Sequence, residues 1–233
     1  ILTIFAEAGC DVDGTRVRFS PGFCRRIIIA TAPSGYTQHA RNPANSVHVG
    51  GTSSVLCPSW GPPFVQDLDR GRRYASYEDF IDLVKLHHTI PWLHHSGGVV
   101  CEPVDLPANK RHLDMVYAHI RWSDKPHLGA ITEKSRAEDS VAMARILHGN
   151  IDDKCVIMGN VNTNSPLLVD KVVTEAIRTY CGRGQGIVVA PFILSGAMGP
   201  VSTAASVAQA MAEAMMSPAV CSLRPLITRS DGL

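Results

Sequence analysis

The feature that most constrains this chain is a change of period near residue 76, after which apolar strand-like runs alternate with amphipathic helical stretches as far as residue 216. The spacing predicts helices over 77–89, 109–123, 135–147, 167–180 and 203–216, with strands over 92–102, 126–132, 155–160 and 186–190 between them. Val156-Ile157-Met158 and Ile187-Val188-Val189-Ala190 are continuous apolar runs, as expected of parallel strands covered on both faces. Parallel strands need crossover connections, which these helices supply. An open doubly wound sheet and a closed barrel both produce this pattern. The open sheet usually carries a glycine-rich phosphate loop after its first strand, and neither G-x-G-x-x-G nor a Walker sequence occurs here. The expected fold class is therefore α/β, of the (β/α)8 TIM-barrel type. Eight units need about 250 residues, so 76–216 is read as the first four βα units, about half of a barrel. Half a barrel leaves strand edges and apolar faces open.

Residues 1–75 read differently. Arg26-Ile27-Ile28-Ile29, Tyr36-Thr37-Gln38-His39-Ala40 and Ser46-Val47-His48-Val49 are short strand-like runs separated by Pro and Gly turns, giving an antiparallel β-rich leading segment. The chain opens without Met on a stretch that reads as the tail of a helix closed by Gly9, so a preceding segment is expected. After the helical run ends at Met216, residues 217–233 show no clear period and are expected to be a divergent or disordered tail.

A hydrophobic fraction of 45% and a charged fraction of 18% describe a globular chain with enough apolar side chains for a core. The formal net charge of +1 supplies no broad field for nucleic acid or an anionic membrane, and neither is expected as a partner. No run approaches a bilayer span and no secretion signal is visible, so the expected compartment is the cytoplasm. The seven cysteines are scattered without a C-x-x-C pair and are read as reduced, mostly buried thiols rather than metal ligands. The pairs His87-His88 and His94-His95 are read as helix-end and loop histidines, because adjacent side chains point apart.

Chemistry is expected in the loops that follow the strands, which in both parallel architectures face a common crevice. After the third strand, Asn160, Asn162 and Asn164 alternate and offer uncharged amide donors and acceptors, suited either to substrate recognition or to fixing the loop. Asn164 or Ser165 also fits a helix N-cap ahead of Pro166. After the fourth strand, Ser195, Gly196, Ala197 and Gly199 permit close backbone approach to a ligand, or tight packing of the loop, and Ser202 or Thr203 suits the next helix cap. No catalytic residue and no metal ligand is assigned.

At these loops the chain resembles the trimethylamine methyltransferase family, the corrinoid-dependent trimethylamine and glycine betaine methyltransferases. The most specific stretch runs from Val189 through Pro191-Phe192-Ile193-Leu194-Ser195-Gly196-Ala197-Met198-Gly199-Pro200-Val201 into an Ala-rich helix. Glu7-Ala8-Gly9-Cys10, Ala32-Pro33-Ser34, Arg41-Asn42-Pro43 and Asn162-Thr163-Asn164-Ser165-Pro166-Leu167 agree in order. In the last of these the family more often has Asn-Pro-x-Ser-Pro-Leu. The resemblance implies a barrel that moves a methyl group from a methylated amine or quaternary ammonium compound to the cobalt of a corrinoid. That cobalamin is carried by a partner protein rather than bound directly. It also implies a homo-oligomer at full length, and a division of the family by a pyrrolysine expected outside this chain.

A trimethylammonium head is bound by aromatic faces and carboxylates. Under the resemblance Phe192 is a candidate face and Glu102 a candidate charge, with loop packing and a solvated carboxylate as their ordinary roles. The alternatives are a truncated or diverged barrel that binds an amine without catalysis, and an aldolase-like barrel using Lys134 as a Schiff-base lysine.

Overall fold

The computed structural model describes the backbone of residues 2–230 and the side chains of residues 2–216. Helix α1 (Leu2–Glu7) ends as expected, with Gly9 at φ 84° and Cys10 N–H donating to Phe5 O at 2.9 Å. Two short strands follow, β1 (Asp11–Asp13) and β2 (Arg16–Arg18), paired antiparallel. The run Arg26-Ile27-Ile28-Ile29 is not a strand. It lies in helix α2 (Phe23–Thr31), where Phe23 and Ile27 fall one helical turn apart and pack into one apolar cluster with Phe5 and Ile177. Tertiary burial of that face overrides the β preference of consecutive isoleucines. The other antiparallel expectations hold: β3 (Gly35–Gln38) pairs with β4 (Val47–Gly50), and a further hairpin joins β5 (Phe64–Asp67) to β6 (Gly71–Tyr74).

Helix α3 (Tyr77–Thr89) starts at a capping box in which Ser76 and Asp79 satisfy each other's backbone N–H. Arg73 pairs with Asp79, tying the hairpin to this helix start. After α3 the expected strand over 92–102 is irregular. Pro91, Pro103, Gly98 and Gly97 at φ 92° break its extended backbone, yet part of it lies beside the sheet, with Ser96 N–H donating to Pro126 O and Leu128 N–H to Gly97 O, both at 2.8 Å.

The alternation then runs as expected through α4 (Arg111–Trp122), β7 (His127–Gly129), α5 (Lys134–His148), β8 (Ile157–Val161), α6 (Lys171–Cys181), β9 (Gly186–Val189) and α7 (Thr203–Ser230). The strands form a parallel sheet in the order β7-β8-β9. Helix α6 starts at Lys171 rather than at 167, because Asp170 is its cap. The backbone of α7 is helical past the expected end at Met216; the expected tail, 217–233, otherwise lies outside the described side chains. The thiols also differ from expectation. Cys181 is disulfide-bonded, and of the free cysteines at 10, 24, 57, 101 and 155 only Cys101 is buried. Sequence spacing carries no information on which thiols folding brings within bonding distance.

Strand residues alternate between two faces. Ile157 and Ile187 pack against Ala137, Val141, Ala176 and Tyr180 of α5 and α6. Met158, Asn160 and Val188 face the opposite side, where Tyr36 of β3 donates its hydroxyl to Met158 Sδ at 2.9 Å. Tyr180 is fully buried, and its hydroxyl donates to Ala130 O at 2.9 Å. It reaches the sheet because two strand positions are glycine: a Cβ on Gly129 would stand 2.3 Å from Tyr180 Oη, and one on Gly159 2.7 Å from Tyr180 Cε2. Buried Gln185 secures the start of β8, accepting from Val156 N–H at 2.9 Å and donating to Lys154 O at 3.0 Å.

A buried polar cluster closes the end of the sheet where its strands begin. Gln38 donates to His127 O at 3.0 Å, and His95 Nε2 lies 3.2 Å from Gln38 Oε1. Gly97 N–H donates to His95 Nδ1, so His95 carries its proton on Nε2. His119 Nε2 donates to Gly98 O at 2.7 Å and its Nδ1 accepts from Ser96 Oγ at 2.7 Å. Both rings are thus neutral. Burial lowers the His95 pKa to about 3, with the charge of His119 adding to the shift. Burial likewise lowers His119 to about 4, although its bond to Gly98 O opposes the shift.

Two predictions follow from this packing. Gly129→Ala forces Tyr180 out of place and is expected to lower stability by about 1–3 kcal/mol in urea unfolding, the usual cost of overpacking a close-packed core. As pH falls below 6.5 the unfolded histidines take up protons that folded His95 and His119 refuse, down to their folded values of about 3 and about 4. Stability is therefore expected to fall with acid, by about 1.4 kcal/mol per pH unit per histidine. Unfolding midpoints that stay constant from pH 7 to pH 5 would contradict this.

Candidate functional site

The candidate site lies at the carboxyl ends of β8 and β9. Asn160 is half-buried on the sheet face opposite α5 and α6, and its Oδ1 is buried without a hydrogen-bond partner among the described residues. A buried acceptor left open costs about 1–3 kcal/mol. The loop after β8 turns sharply. Asn164 and Leu168 exchange backbone bonds of 2.8 and 3.0 Å, and between them Leu167 takes φ 53°, a region that side-chain-bearing residues avoid.

Glu213 of α7 holds this turn. The residue is fully buried, and its carboxylate accepts from Thr163 Oγ1 at 2.6 Å, Ser165 Oγ at 2.8 Å, Leu167 N–H at 2.9 Å and Gln209 Nε2 at 3.0 Å. Burial pushes its pKa up, but the donors, led by the Leu167 N–H, outweigh that and hold it below the usual carboxylate value. The sequence reading missed Glu213. Its signal was visible: it is the single acidic residue between 203 and 216, one helical turn from Gln209.

The loop after β9 forms a second closed turn, in which Gly196 N–H donates to Gly199 O at 3.0 Å. Gly196 sits at φ 85°, which explains the glycine there. Ser195 Oγ lies 2.9 Å from Ser206 Oγ, and Ser202 Oγ accepts from Ala205 N–H at 3.4 Å as the expected helix cap. Phe192 stands 60% exposed with no aromatic partner among the described residues.

The structure thus places Asn160 in the last pleat of β8 and brings Asn162, Asn164, Phe192, Ser195 and Gly196 to consecutive strand-end loops. Asn162 is exposed and makes no hydrogen bond among the described residues. Asn164 is not the helix cap. Its side chain instead donates to Asp170 Oδ2 at 3.2 Å, and Asp170 caps α6 by accepting from Val173 N–H at 2.7 Å. Ser165 is occupied by Glu213, and Pro166 precedes the helix by a full turn, which is why neither candidate cap serves. Glu102 stands apart from these loops: Arg111 of α4 binds its carboxylate, and its N–H donates to Pro62 O. Lys134, the Schiff-base alternative, is the exposed first residue of α5 and pairs with Glu138 at 3.6 Å, one turn along the same helix. Among the described residues no group of His, Cys, Asp or Glu side chains is arranged to hold a metal ion, and no helix is long and apolar enough to cross a membrane.

Fold and loops together define an α/β chain whose candidate binding residues follow the strands of a parallel sheet. A family model described as Trimethylamine methyltransferase (MTTB) matches residues 1–225. The glycine betaine methyltransferase of Desulfitobacterium hafniense (strain Y51) is 37% identical over 217 residues, a match covering 92% of this chain and 45% of that relative. The chain belongs to the trimethylamine methyltransferase family, and it spans a little under half the length of this relative.

Replacing Asp170 with Ala removes the α6 cap and the anchor of Asn164 together. A loss of about 1 kcal/mol is expected in denaturant unfolding, typical of a lost N-cap; an unchanged midpoint would argue against the cap.

Proposed function

We propose that the full-length protein carrying this chain moves a methyl group from a methylated amine or quaternary ammonium compound, of the trimethylamine or glycine betaine kind, to the cobalt of a corrinoid held by a separate protein. The observation that carries this reading is the family match over residues 1–225, joined by a relative named glycine betaine methyltransferase. The parallel order β7-β8-β9, with helices on one face and Asn160 on the other, supports a (β/α)8 barrel of which this chain supplies the first part. The full-length protein is read as a homo-oligomer, as the family resemblance implies.

Such a transfer asks the protein for in-line orientation, exclusion of water and recognition of a cation rather than for a strong acid or base. The corrinoid, when its carrier docks, supplies the nucleophilic metal. The residues around the strand ends fit that docking. Leu167, Leu168, Phe192, Leu194 and Val201 form an apolar rim, each more than half exposed. Phe192 offers its face to the ammonium head, and the free amide of Asn162 suits the carboxylate of a betaine. Asn164 and Ser195 hold their loops in shape, and Gly196 leaves its turn open to close approach. Glu102 is the weaker candidate, because Arg111 already neutralises it.

Given the reduced corrinoid carrier, the full-length protein is expected to release dimethylamine from trimethylamine or dimethylglycine from glycine betaine, read by mass spectrometry of the product. Phe192→Ala is expected to weaken amine binding by about 1 kcal/mol; unchanged affinity removes Phe192 from the site. Binding of either amine with no demethylated product would favour the non-catalytic reading instead.

A further inference from the structure

Two residues of α7 touch both strand-end loops at once. Glu213 accepts from Thr163, Ser165 and Leu167 in the loop after β8. Gln209, one turn earlier, donates from Nε2 to Met198 O at 3.2 Å in the loop after β9 and to Glu213 Oε1 at 3.0 Å. An amide nitrogen has two hydrogens, so Gln209 makes both bonds together and links the loops through the carboxylate. Its side chain fits because position 199 is glycine: a Cβ there would stand 3.1 Å from Gln209 Oε1 and 2.9 Å from Ile193 Cγ2.

We propose that Gln209 and Glu213 form one clamp that fixes the loops 163–167 and 195–199 relative to each other, and that they are positioning residues of the candidate site. The clamp itself stands on this geometry; its service to a bound amine rests on the functional reading above. Leu167 shows why the loop after β8 needs such a device. Its backbone sits at φ 53°, disfavoured for a residue with a side chain, and its N–H is held by Glu213 Oε1. A carboxylate that is fully buried and satisfied by uncharged donors is also poorly placed to touch substrate. Its value to the site is geometric rather than electrostatic. Glutamine can replace it on that account, since its carbonyl oxygen still accepts from Leu167 and Gln209 while its amide donates to Thr163 and Ser165, whose hydroxyls can turn to accept.

Hydrogen exchange on the full chain tests the clamp without any assay of methyl transfer. Gln209→Leu is expected to speed exchange of the Met198 amide by about tenfold, the effect of one lost hydrogen bond to a held loop. It is also expected to speed exchange at Leu167, which Gln209 does not touch. Glu213→Ala should loosen both loops, whereas Glu213→Gln should keep the Leu167 amide slow. If Gln209→Leu changes the loop after β9 alone, the loops are not coupled and the clamp is overturned. If Glu213→Gln loosens Leu167 as much as Glu213→Ala, the charge and not the geometry holds the turn, and the positioning role is overturned as well. Calorimetry with glycine betaine on the same variants completes the test. Weaker binding by Gln209→Leu and by Glu213→Ala, with binding retained in Glu213→Gln, supports positioning of the site, while unaltered binding beside altered exchange overturns the link to the amine alone.

Discussion

The ring of Tyr180 lies across two glycines, Gly129 of β7 and Gly159 of β8, and this contact sets how closely α6 can approach the sheet. A methyl group at either glycine would overlap the ring. Close-packed interiors relax little around such an overlap, so glycine is needed at both positions. With the ring buried and its hydroxyl bound to Ala130 O, α6 and α5 cover one face of β8. Period-2 alternation then sends Met158 and Asn160 to the other face.

The two ends of the sheet are secured by different chemistry. Where the strands begin, Gln38 and the neutral imidazoles of His95 and His119 tie the β3 hairpin and α4 to the strands through short hydrogen bonds. A buried polar network is stable only while its members stay paired and uncharged, which makes this end rigid near neutrality and sensitive to acid. Where the strands end, a single ionised carboxylate, Glu213, gathers donors from a loop that would otherwise be strained at Leu167. Rigidity at one end and held loops at the other are consistent with the proposed role of orienting a small cation for in-line transfer.

Much of this was written in the sequence. Continuous apolar runs and amphipathic stretches placed β8, β9 and the helices α3 to α6 within a few residues, because local periodicity follows directly from which face is buried. The strand-end loops were found for the same reason, since parallel topology fixes where they must lie. Three segments were misread, one of them the stretch after Met216, whose backbone continues the helix α7 instead of forming an irregular tail. Three isoleucines in a row prefer a strand locally, and only the cluster of Phe5, Phe23 and Ile177 selects the helix. The run over 92–102 has strand composition, but its glycines and prolines leave it irregular beside β7.

What the sequence alone determined is the α/β alternation, the positions of the candidate asparagines and the resemblance to the methyltransferase family. Each of these depends on residues near one another in the chain. What only the tertiary structure decided depends on residues far apart: that Cys181 is in a disulfide, that Arg111 neutralises Glu102, that Asp170 rather than Asn164 caps α6, and that Glu213 holds a turn about fifty residues away. The physical reason is that burial and hydrogen-bond partnership belong to pairs of surfaces, and folding chooses those pairs from the whole chain at once.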